Sequence, residues 1–317
     1  MQNATNISAK VLSYFNNLNS RVVQKGNIGG YYAYALQLMY KHTYVYRARN
    51  GLRVKFDPKK PILDLAQTAA GHTQTWEYSG KKNCWFVGTK YSDASGWHWD
   101  KQIARVKIPD SKTHTHNYDF PRLSWITWAG GMYDANDSNG MNDNTFVRSE
   151  AAVSPEYNTF LLVTVDKNGN GYFTLYDLDK INKALDGNYE GEATEVKLKD
   201  FDYLKSFKLP KLVGSVGSLQ GFDIDEDNNI YISSEKAPSG GSQKPRKIVK
   251  IPWGSTNPNE WQYVDLDHVD LDRVHMNTEL EGIQIVGNNH AYLTVSYHPT
   301  NKKGTDYRHR IYDVSWD

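Results

Sequence analysis

The sequence predicts an all-β fold: a β-propeller of five blades, each built from four antiparallel strands, with long inter-blade loops. Three observations predict it. Short runs rich in β-branched and aromatic residues recur along the 317 residues, bounded by Gly, Asn, Asp and Pro. Helical periodicity is confined to residues 178–185, LDKINKAL. A strand–turn–strand segment is repeated, and units that cannot bury both faces alone stack radially into a propeller.

The repeat is clearest when Gln220 is aligned with Glu281. QGFDIDEDNNIYISS then lies over EGIQIVGNNHAYLTV without a gap, with apolar residues and the polar turn in register. A third copy, EAAVSPEYNTFLLVT, begins at Glu150, and a looser fourth begins near His72. A further strand follows the hairpin in each copy. A fifth unit fits upstream, over residues 22–64.

Five units in 317 residues give about 63 residues each, more than the ~40–45 of compact blades. Long loops follow from this length, and residues 110–144 form the largest insertion. We expect one domain over residues 1–317, in which residues 1–20 either supply a ring-closing strand or are disordered. Lys10–Phe15 or Arg310–Trp316 should complete the first or last blade, because an unpaired edge offers backbone donors and acceptors to other chains. A two-domain β protein is the alternative.

Composition narrows the range of partners. Lys and Arg number 37 against 36 Asp and Glu, and this balance argues against a nucleic-acid partner, which would require a basic excess. The single cysteine, Cys84, excludes an intrachain disulfide and a multi-cysteine metal site, and it is expected to be a small buried hydrophobe. No apolar stretch approaches the ~20 residues of a transmembrane span. The N-terminal residues lack the basic and apolar regions of a recognisable signal peptide.

Polar residues recur where the first strand of each blade should line the central channel. They are His72, Glu150, Gln220 and Glu281, with Gln74 and Glu77 nearby. This placement predicts a polar ligand site on the axis, of the kind that holds a sugar or a metal ion. The alternative is that these side chains hydrogen-bond neighbouring blades or water.

Paired carboxylates raise the possibility of glycoside hydrolysis, which uses two of them on opposite sides of the scissile bond. The candidates are Asp119, Glu150, Glu279 and Glu281. Their spacing fixes no separation, so no catalytic residue is assigned. The sequence also lacks a G-x-S-x-G elbow and a glycine-rich phosphate loop.

One acidic turn resembles a calcium loop. Asp166, Asn168 and Asn170 match the opening of the D-x-N-x-N-G pattern, but the final Glu is missing and position 177 is Asp. The alternative is a hairpin turn, since Asp, Asn and Gly favour turn conformations. Calcium is the one cofactor that the sequence suggests.

Several aromatic residues flank polar loops, where exposed rings could stack on sugars or lie at a membrane interface. These predicted rim aromatics are Trp97, Trp99, Trp125, Trp128 and Tyr133. The alternative is that they pack between blades.

Nine segments, in order from about residue 22 to the C-terminus, resemble the helveticin J family, the large, heat-labile class III bacteriocins of lactobacilli. The segments are GNIGGYYAYALQL (26–38), GHTQTWEYSG (71–80), KQIARVKI (101–108), DFPRLSW (119–125), EAAVSPEYNTFLL (150–162), LQGFDID (219–225), NIYISSEKAP (229–238), KIVKIP (247–252) and YLTVSYH (292–298). The resemblance implies a secreted antibacterial protein that kills related bacteria through their envelope and is released without a typical cleaved leader. It supplies no catalytic residues to transfer.

The sequence therefore suggests a non-enzymatic bacteriocin whose partner is a target-cell envelope component, either a wall glycan or a surface receptor. Because the net charge is only +1, cationic attraction to anionic envelopes is unavailable and targeting should depend on specific contacts. The alternatives are a hydrolase acting on cell-wall polysaccharide and a non-toxic carbohydrate-binding propeller.

Overall fold

The computed structural model describes residues 2–66, 69–91, 99–108, 113–115, 120–131, 146–187, 195–236, 244–300 and 307–317. In these ranges the chain forms five small sheets arranged in a ring, which confirms the predicted five-bladed β-propeller. Each blade contains four antiparallel strands.

Blades are numbered along the chain, and their antiparallel strands are given from the channel outward. Blade 1 contains Val23–Ile28, Tyr32–Met39, His42–Arg49 and Leu63–Ala66. Blade 2 contains Trp76–Tyr78, Cys84–Tyr91, Asp100–Lys107 and Arg122–Ser124. Blade 3 contains Phe146–Val153, Thr159–Asp166, Gly171–Asp177 and Lys205–Leu209. Blade 4 contains Phe222–Ile224, Ile230–Lys236, Lys244–Ile251 and Gln262–Asp265. Blade 5 contains Met276–Gly287, His290–Pro299, Arg308–Ser315 and Ser8–Asn16.

Four blades carry a fifth, short parallel strand on their outer edge, which the sequence did not predict. The strands are Thr113–Thr115 on blade 1, Glu195–Lys197 on blade 2, Gln2–Asn3 on blade 4 and Arg53–Lys55 on blade 5. Each lies on the chain just ahead of the fourth strand of the following blade. Every such strand therefore fastens one blade to the next at the outer rim and covers an edge that would otherwise be unpaired.

The ring closes through the two ends of the chain. Ser8–Asn16 pairs antiparallel with Arg308–Ser315, so the fourth strand of blade 5 comes from the N-terminal segment. Thr5 and Asp317 exchange two backbone hydrogen bonds, of 3.0 and 3.1 Å, beside this pairing.

Helices are few and lie between strands. The α-helix Leu178–Asp186 confirms the predicted helical segment, and Asp177 caps it by accepting the backbone N–H of Lys180. Its buried face, which includes Ile181, packs in the apolar cluster between blades 2 and 3. Other helices in the described residues are short. Leu212–Val216 is α-helical, Leu198–Asp200 and Pro258–Glu260 are 3-10 helices, and Ile126–Gly131 is 3-10 helical with a kink at Ala129 and Gly130.

The core consists of apolar clusters between blades rather than one central cluster. One example joins Tyr34 and Val45 of blade 1 to Trp76 and Val87 of blade 2, all of them buried. Cys84 is also buried, as its sequence context predicts. Because apolar residues fill the spaces between blades, the polar residues of the innermost strands are left to the central channel.

Candidate functional site

The predicted axial residues meet around the side chain of Gln74. Its Nε2 donates to Glu281 Oε2 at 2.5 Å and to Gln220 Oε1 at 3.1 Å, and its Oε1 accepts from Arg148 Nη2 at 2.8 Å. One amide thus joins groups from blades 2, 3, 4 and 5. Gln74 and Glu281 are almost completely buried.

Glu150 belongs to the same network and uses both carboxylate oxygens in it. Arg148 Nε donates to Oε1 at 2.9 Å, and Thr75 Oγ1 donates to Oε2 at 2.5 Å. The backbone N–H of Gln74 also approaches both oxygens, at 3.3 and 3.2 Å. The carboxylate therefore ties blade 3 to blade 2.

His72 lies at the edge of this network and is held by stacking. Its ring lies 4.0 Å from that of Trp99 at an interplanar angle of 7°, and the Arg148 guanidinium sits 3.8 Å from the Trp99 centroid. His72 Nε2 lies 3.0 Å from Gln24 Oε1. Burial, together with the nearby charge of Arg148, lowers the pKa of His72 to about 3, so its ring is neutral near neutral pH.

All five predicted axial residues thus come together: four of them occupy repeat positions, and Gln74 was expected nearby. Their contacts are those of the alternative interpretation, hydrogen bonds between blades. A ligand at this end of the channel remains a prediction.

A buried charge cluster lies further along the channel. Lys25 is fully buried; its Nζ lies 2.6 Å from Glu77 Oε1 and donates to the Ile283 carbonyl oxygen. Asp223 accepts the backbone N–H groups of Ile224 at 2.8 Å and Ile285 at 2.6 Å. Two carboxyl groups thus lie near one ammonium group, and Glu77 is the one in ion-pair contact with it.

The pKa shifts of the charge cluster follow from that imbalance. Burial alone would lower the pKa of Lys25, but the carboxyl groups of Glu77 and Asp223 outweigh it and raise the pKa. Burial raises the pKa of Asp223 well above its usual range, and the neighbouring Glu77 adds to the shift. Burial likewise raises the pKa of Glu77, against the lowering effect of Lys25. The ion pair of the cluster is therefore the one between Lys25 and Glu77, and Asp223 is held by backbone N–H groups.

Beyond the charge cluster, where the innermost strands end, the channel opens into a cavity of about 280 Å³. We call it the tyrosine cup. Its aromatic lining consists of Tyr31, Tyr32, Tyr34, Tyr78, Trp85 and Tyr157. Its polar lining includes Asn27, Glu77, Ser154, Asp223 and Gln284. Tyr31 is 61% exposed and Tyr157 is 47% exposed, so both rings stand at the open mouth.

The cup was not predicted from the sequence. Its aromatic residues come from blades 1, 2 and 3, and only the order of blades around the ring brings them together. A usable signal was present: GNIGGYYAY (26–34) places two tyrosines directly after a Gly-Gly turn, at the tip of a hairpin. Glu77 was noted as an axial neighbour, but its place at the floor was not foreseen.

The predicted rim aromatics do not form one surface in the described residues. Trp99 stacks within the axial network instead of standing on a rim. Trp125 and Trp128 lie 6.3 Å apart near the outer strands of blade 2, with Lys199 Nζ 4.2 Å from the Trp125 centroid. Trp97 and Tyr133 lie outside the described residues.

The carboxylates considered for hydrolysis do not converge on the cup. Glu150 and Glu281 are buried in the axial network, and Glu279 Oε2 lies 3.3 Å from His298 Nε2. Asp119 lies outside the described residues. The two carboxyl groups that line the cup are instead those of Glu77 and Asp223.

The predicted calcium loop forms a hydrogen-bonded turn. Asp166 Oδ1 accepts the N–H groups of Asn168 and Asn170, both at 2.9 Å, and Oδ2 accepts from Asn170 Nδ2 at 2.8 Å and from the Tyr172 hydroxyl at 3.1 Å. Across the described part of the chain, no group of three or more His, Cys, Asp or Glu residues could hold a metal ion. Calcium binding at Asp166 remains a prediction, at oxygens that are already hydrogen-bonded.

Comparison with known proteins identifies the family. A sequence-family profile described as "Bacteriocin helveticin-J" matches residues 3–317. Bacteriocin helveticin-J of Lactobacillus helveticus is 41% identical over 322 aligned positions, which cover 93% of each chain. The chain belongs to the helveticin-J family. This family therefore includes a five-bladed propeller whose termini meet in one blade.

Similarities to solved structures are distant. The catalytic domain of a GH62 α-L-arabinofuranosidase from Coprinopsis cinerea is 11% identical with a TM-score of 0.46, and an α-L-arabinofuranosidase from Podospora anserina, crystallised with cellotriose, is 8% identical with a TM-score of 0.47. Each comparison covers 96% of both chains. At these values the similarities carry no weight for the activity of this family member. Within the described residues, no helix is long and apolar enough to span a membrane.

Proposed function

We propose that this protein is a secreted bacteriocin that acts on the envelope of Gram-positive bacteria related to its producer. The observation that carries the proposal is membership of the helveticin-J family, with a profile match over residues 3–317 and 41% identity to bacteriocin helveticin-J. That role requires action outside the producing cell. The near-neutral charge supports recognition of a specific envelope component, a wall glycan or a surface receptor, over attraction to anionic surfaces.

We infer that the protein acts by binding rather than by catalysis. The axial carboxylates of Glu150 and Glu281 are buried, and both take part in hydrogen bonds between blades. Such groups stabilise the ring and are poorly placed to reach a glycosidic bond.

The test is growth inhibition of a panel of lactobacilli by the purified protein, together with its binding to intact cells. We expect killing of some strains, binding to the same strains, and loss of both effects after heat unfolding. A purified, folded protein that neither binds nor inhibits any strain of the panel would contradict the proposal.

Hydrolysis of wall polysaccharide is the second candidate function, and one observation favours it: two carboxyl groups, Glu77 and Asp223, line the tyrosine cup. Reducing-sugar release from isolated walls separates the two functions. The binding proposal expects no release while killing persists. Release by the wild type that disappears in correctly folded Glu77→Gln and Asp223→Asn variants would establish the hydrolase instead.

A further inference from the structure

The tyrosine cup has the construction of a small-ligand site. Its volume of about 280 Å³ lies near the lower end of ligand pockets, which span about 300–1,000 Å³. All five blades contribute to it: blades 1, 2 and 3 supply aromatic rings, blade 4 supplies Asp223 and blade 5 supplies Gln284. Because the lining residues lie on or beside strands of a closed ring, the cup is preformed and little ordering is needed on binding.

The aromatic side of the cup is fixed by its own packing. Trp85 lies 4.4 Å from the centroid of Tyr34 and 5.3 Å from that of Tyr78, and the Tyr78 ring meets Tyr157 edge-on at 5.4 Å. Tyr31 and Tyr157 complete this wall at the solvent-exposed mouth. Such a wall accepts a flat, weakly polar molecular face.

The polar part of the lining carries no cationic side chain. Among the described lining residues, only Glu77 and Asp223 carry acidic or basic side chains other than tyrosine. Lys25 lies beneath them, where it pairs with Glu77 and donates to a backbone carbonyl. The guanidinium groups of Arg47 and Arg49 lie over the rings of Tyr32 and Tyr31, at 4.8 and 5.7 Å, and do not line the cup. An anion at the floor of the cup would therefore meet carboxyl groups. A cation is disfavoured because the Lys25 ammonium group already lies 2.6 Å from Glu77 Oε1, and the raised pKa of Asp223 adds to this effect.

A molecule that suits both sides has one apolar face and a rim of hydroxyl groups, without net charge. We propose that the tyrosine cup binds a single uncharged hexopyranose unit of an envelope glycan. The C–H face of the sugar packs on the aromatic side, and its hydroxyl groups point toward Asn27, Glu77 and Asp223. This assignment rests on the proposed function only in taking the envelope as the source of the glycan.

Direct titration of the purified full-length protein tests the proposal. The probes are the methyl glycosides of glucose, galactose and N-acetylglucosamine, with glucuronic acid as the charged counterpart, and the readouts are calorimetry and intrinsic fluorescence. We expect saturable binding of at least one neutral probe and none of glucuronic acid. Tyr31→Ala and Tyr157→Ala should each weaken that binding at least about tenfold, the scale that removal of an aromatic anchor produces.

Two tyrosines elsewhere provide matched controls. Tyr40 is 72% exposed, lies at the far end of the strand that follows Tyr31, and has an Arg guanidinium 5.7 Å from its ring, as Tyr31 has. Tyr203 is 47% exposed, as Tyr157 is. Tyr40→Ala and Tyr203→Ala should leave sugar binding unchanged, and thermal unfolding should show that all four variants fold.

The outcomes separate this proposal from the proposed function. Three results would overturn the sugar site without contradicting the bacteriocin role. They are the absence of binding by every neutral probe, preference for glucuronic acid, and unchanged binding in both cup variants. Sugar binding that depends on Tyr31 and Tyr157, in a protein that kills no strain, would support the site and contradict the bacteriocin role.

Discussion

At the scale of single residues, Lys25 shows what holds the channel together. It is fully buried, pairs with Glu77 and lies near Asp223. Lys25→Met would leave the buried Glu77 carboxyl group without its ion-pair partner, so we expect a loss of about 3–5 kcal/mol in the free energy of unfolding, measured by urea unfolding.

Lys10 is exposed, so Lys10→Met is the matched control and should change the free energy of unfolding little. Because the cost of Lys25→Met comes from the unpaired Glu77 carboxyl group, the double variant Lys25→Met/Glu77→Gln should recover part of it. Equal stability of Lys25→Met and the wild type would show that the ion pair does not stabilise the fold.

Glu235 makes stability depend on pH. Burial raises the pKa of Glu235 to about 8, against the lowering effects of the Leu280 N–H donor and Arg246, while Glu279 and Asp267 raise it further. Between about pH 4.5 and about pH 8 the folded protein keeps a proton that the unfolded chain has lost. This contribution to stability is complete below about pH 4.5 and is lost as pH rises toward about 8.

The Glu235→Gln variant should therefore gain in Tm relative to the wild type as pH rises across that interval, because the amide oxygen still accepts the Leu280 N–H and no charge is buried. Thermal unfolding at both ends of the interval measures the effect, with the exposed Glu156→Gln as control. A Tm difference that does not vary with pH would contradict the assignment.

Residue-scale prediction from the sequence succeeded where the repeat itself carried the information. Glu150, Gln220 and Glu281 occupy equivalent positions in three copies, so their meeting on the axis followed from the alignment. Tyr31 and Tyr157 occupy no equivalent positions. Their proximity depends on the closure of blades 1 to 3 around a shared mouth, and no local pattern encodes it.

At the scale of elements, two hairpin turns share one hydrogen-bonding scheme. Asp225 accepts the N–H groups of Asp227 and Asn229, the Asn229 side-chain amide and the Tyr231 hydroxyl, as Asp166 does with its own neighbours. The tyrosine six residues later is buried in both cases. The D-x-(N/D)-x-N-x-Y pattern therefore encodes a turn and a satisfied buried hydroxyl together.

Asp225→Ala should cost about 1–3 kcal/mol, because it leaves the fully buried Tyr231 hydroxyl and turn N–H groups without their acceptor. Asp227→Ala, in the same turn but exposed, should be nearly neutral. Chemical unfolding of both variants measures the difference, and equal stabilities would contradict the scheme. Thermal unfolding with added Ca²⁺ tests the calcium prediction: an ion bound at Asp166 would raise the Tm of the wild type but not that of Asp166→Ala.

The parallel outer strands show why some elements escaped prediction. Each is only two or three residues long, too short for an alternating pattern to be recognised, and Thr113–Thr115 lies inside the segment that was predicted as a long loop. The Leu178–Asp186 helix was predicted, over residues 178–185, because the apolar residues Leu178, Ile181, Ala184 and Leu185 recur at helical spacing.

At the scale of the whole molecule, the chain ends lie where other blades have an ordinary connection. In blades 1 to 4 a covalent connection joins the third and fourth strands, whereas in blade 5 the third strand is C-terminal and the fourth is N-terminal. Thr5 and Asp317 bridge the interruption by backbone hydrogen bonds. The ring therefore specifies which strands pair, and the position of the chain break should be exchangeable among equivalent connections.

Circular permutation tests this exchange. A short Gly-rich linker from Asp317 to Gln2, with new termini opened at the exposed Thr256 between the third and fourth strands of blade 4, retains every strand. We expect a folded monomer with a Tm close to that of the wild type.

Deletion of residues 2–16 instead removes the fourth strand of blade 5 and exposes the edge of Arg308–Ser315. We therefore expect this variant to aggregate, and a peptide of residues 2–16 should relieve the aggregation. Size-exclusion chromatography and circular dichroism distinguish the variants. An aggregated permutant, or a soluble deletion variant as stable as the wild type, would show that strand pairing at the ring closure does not control folding.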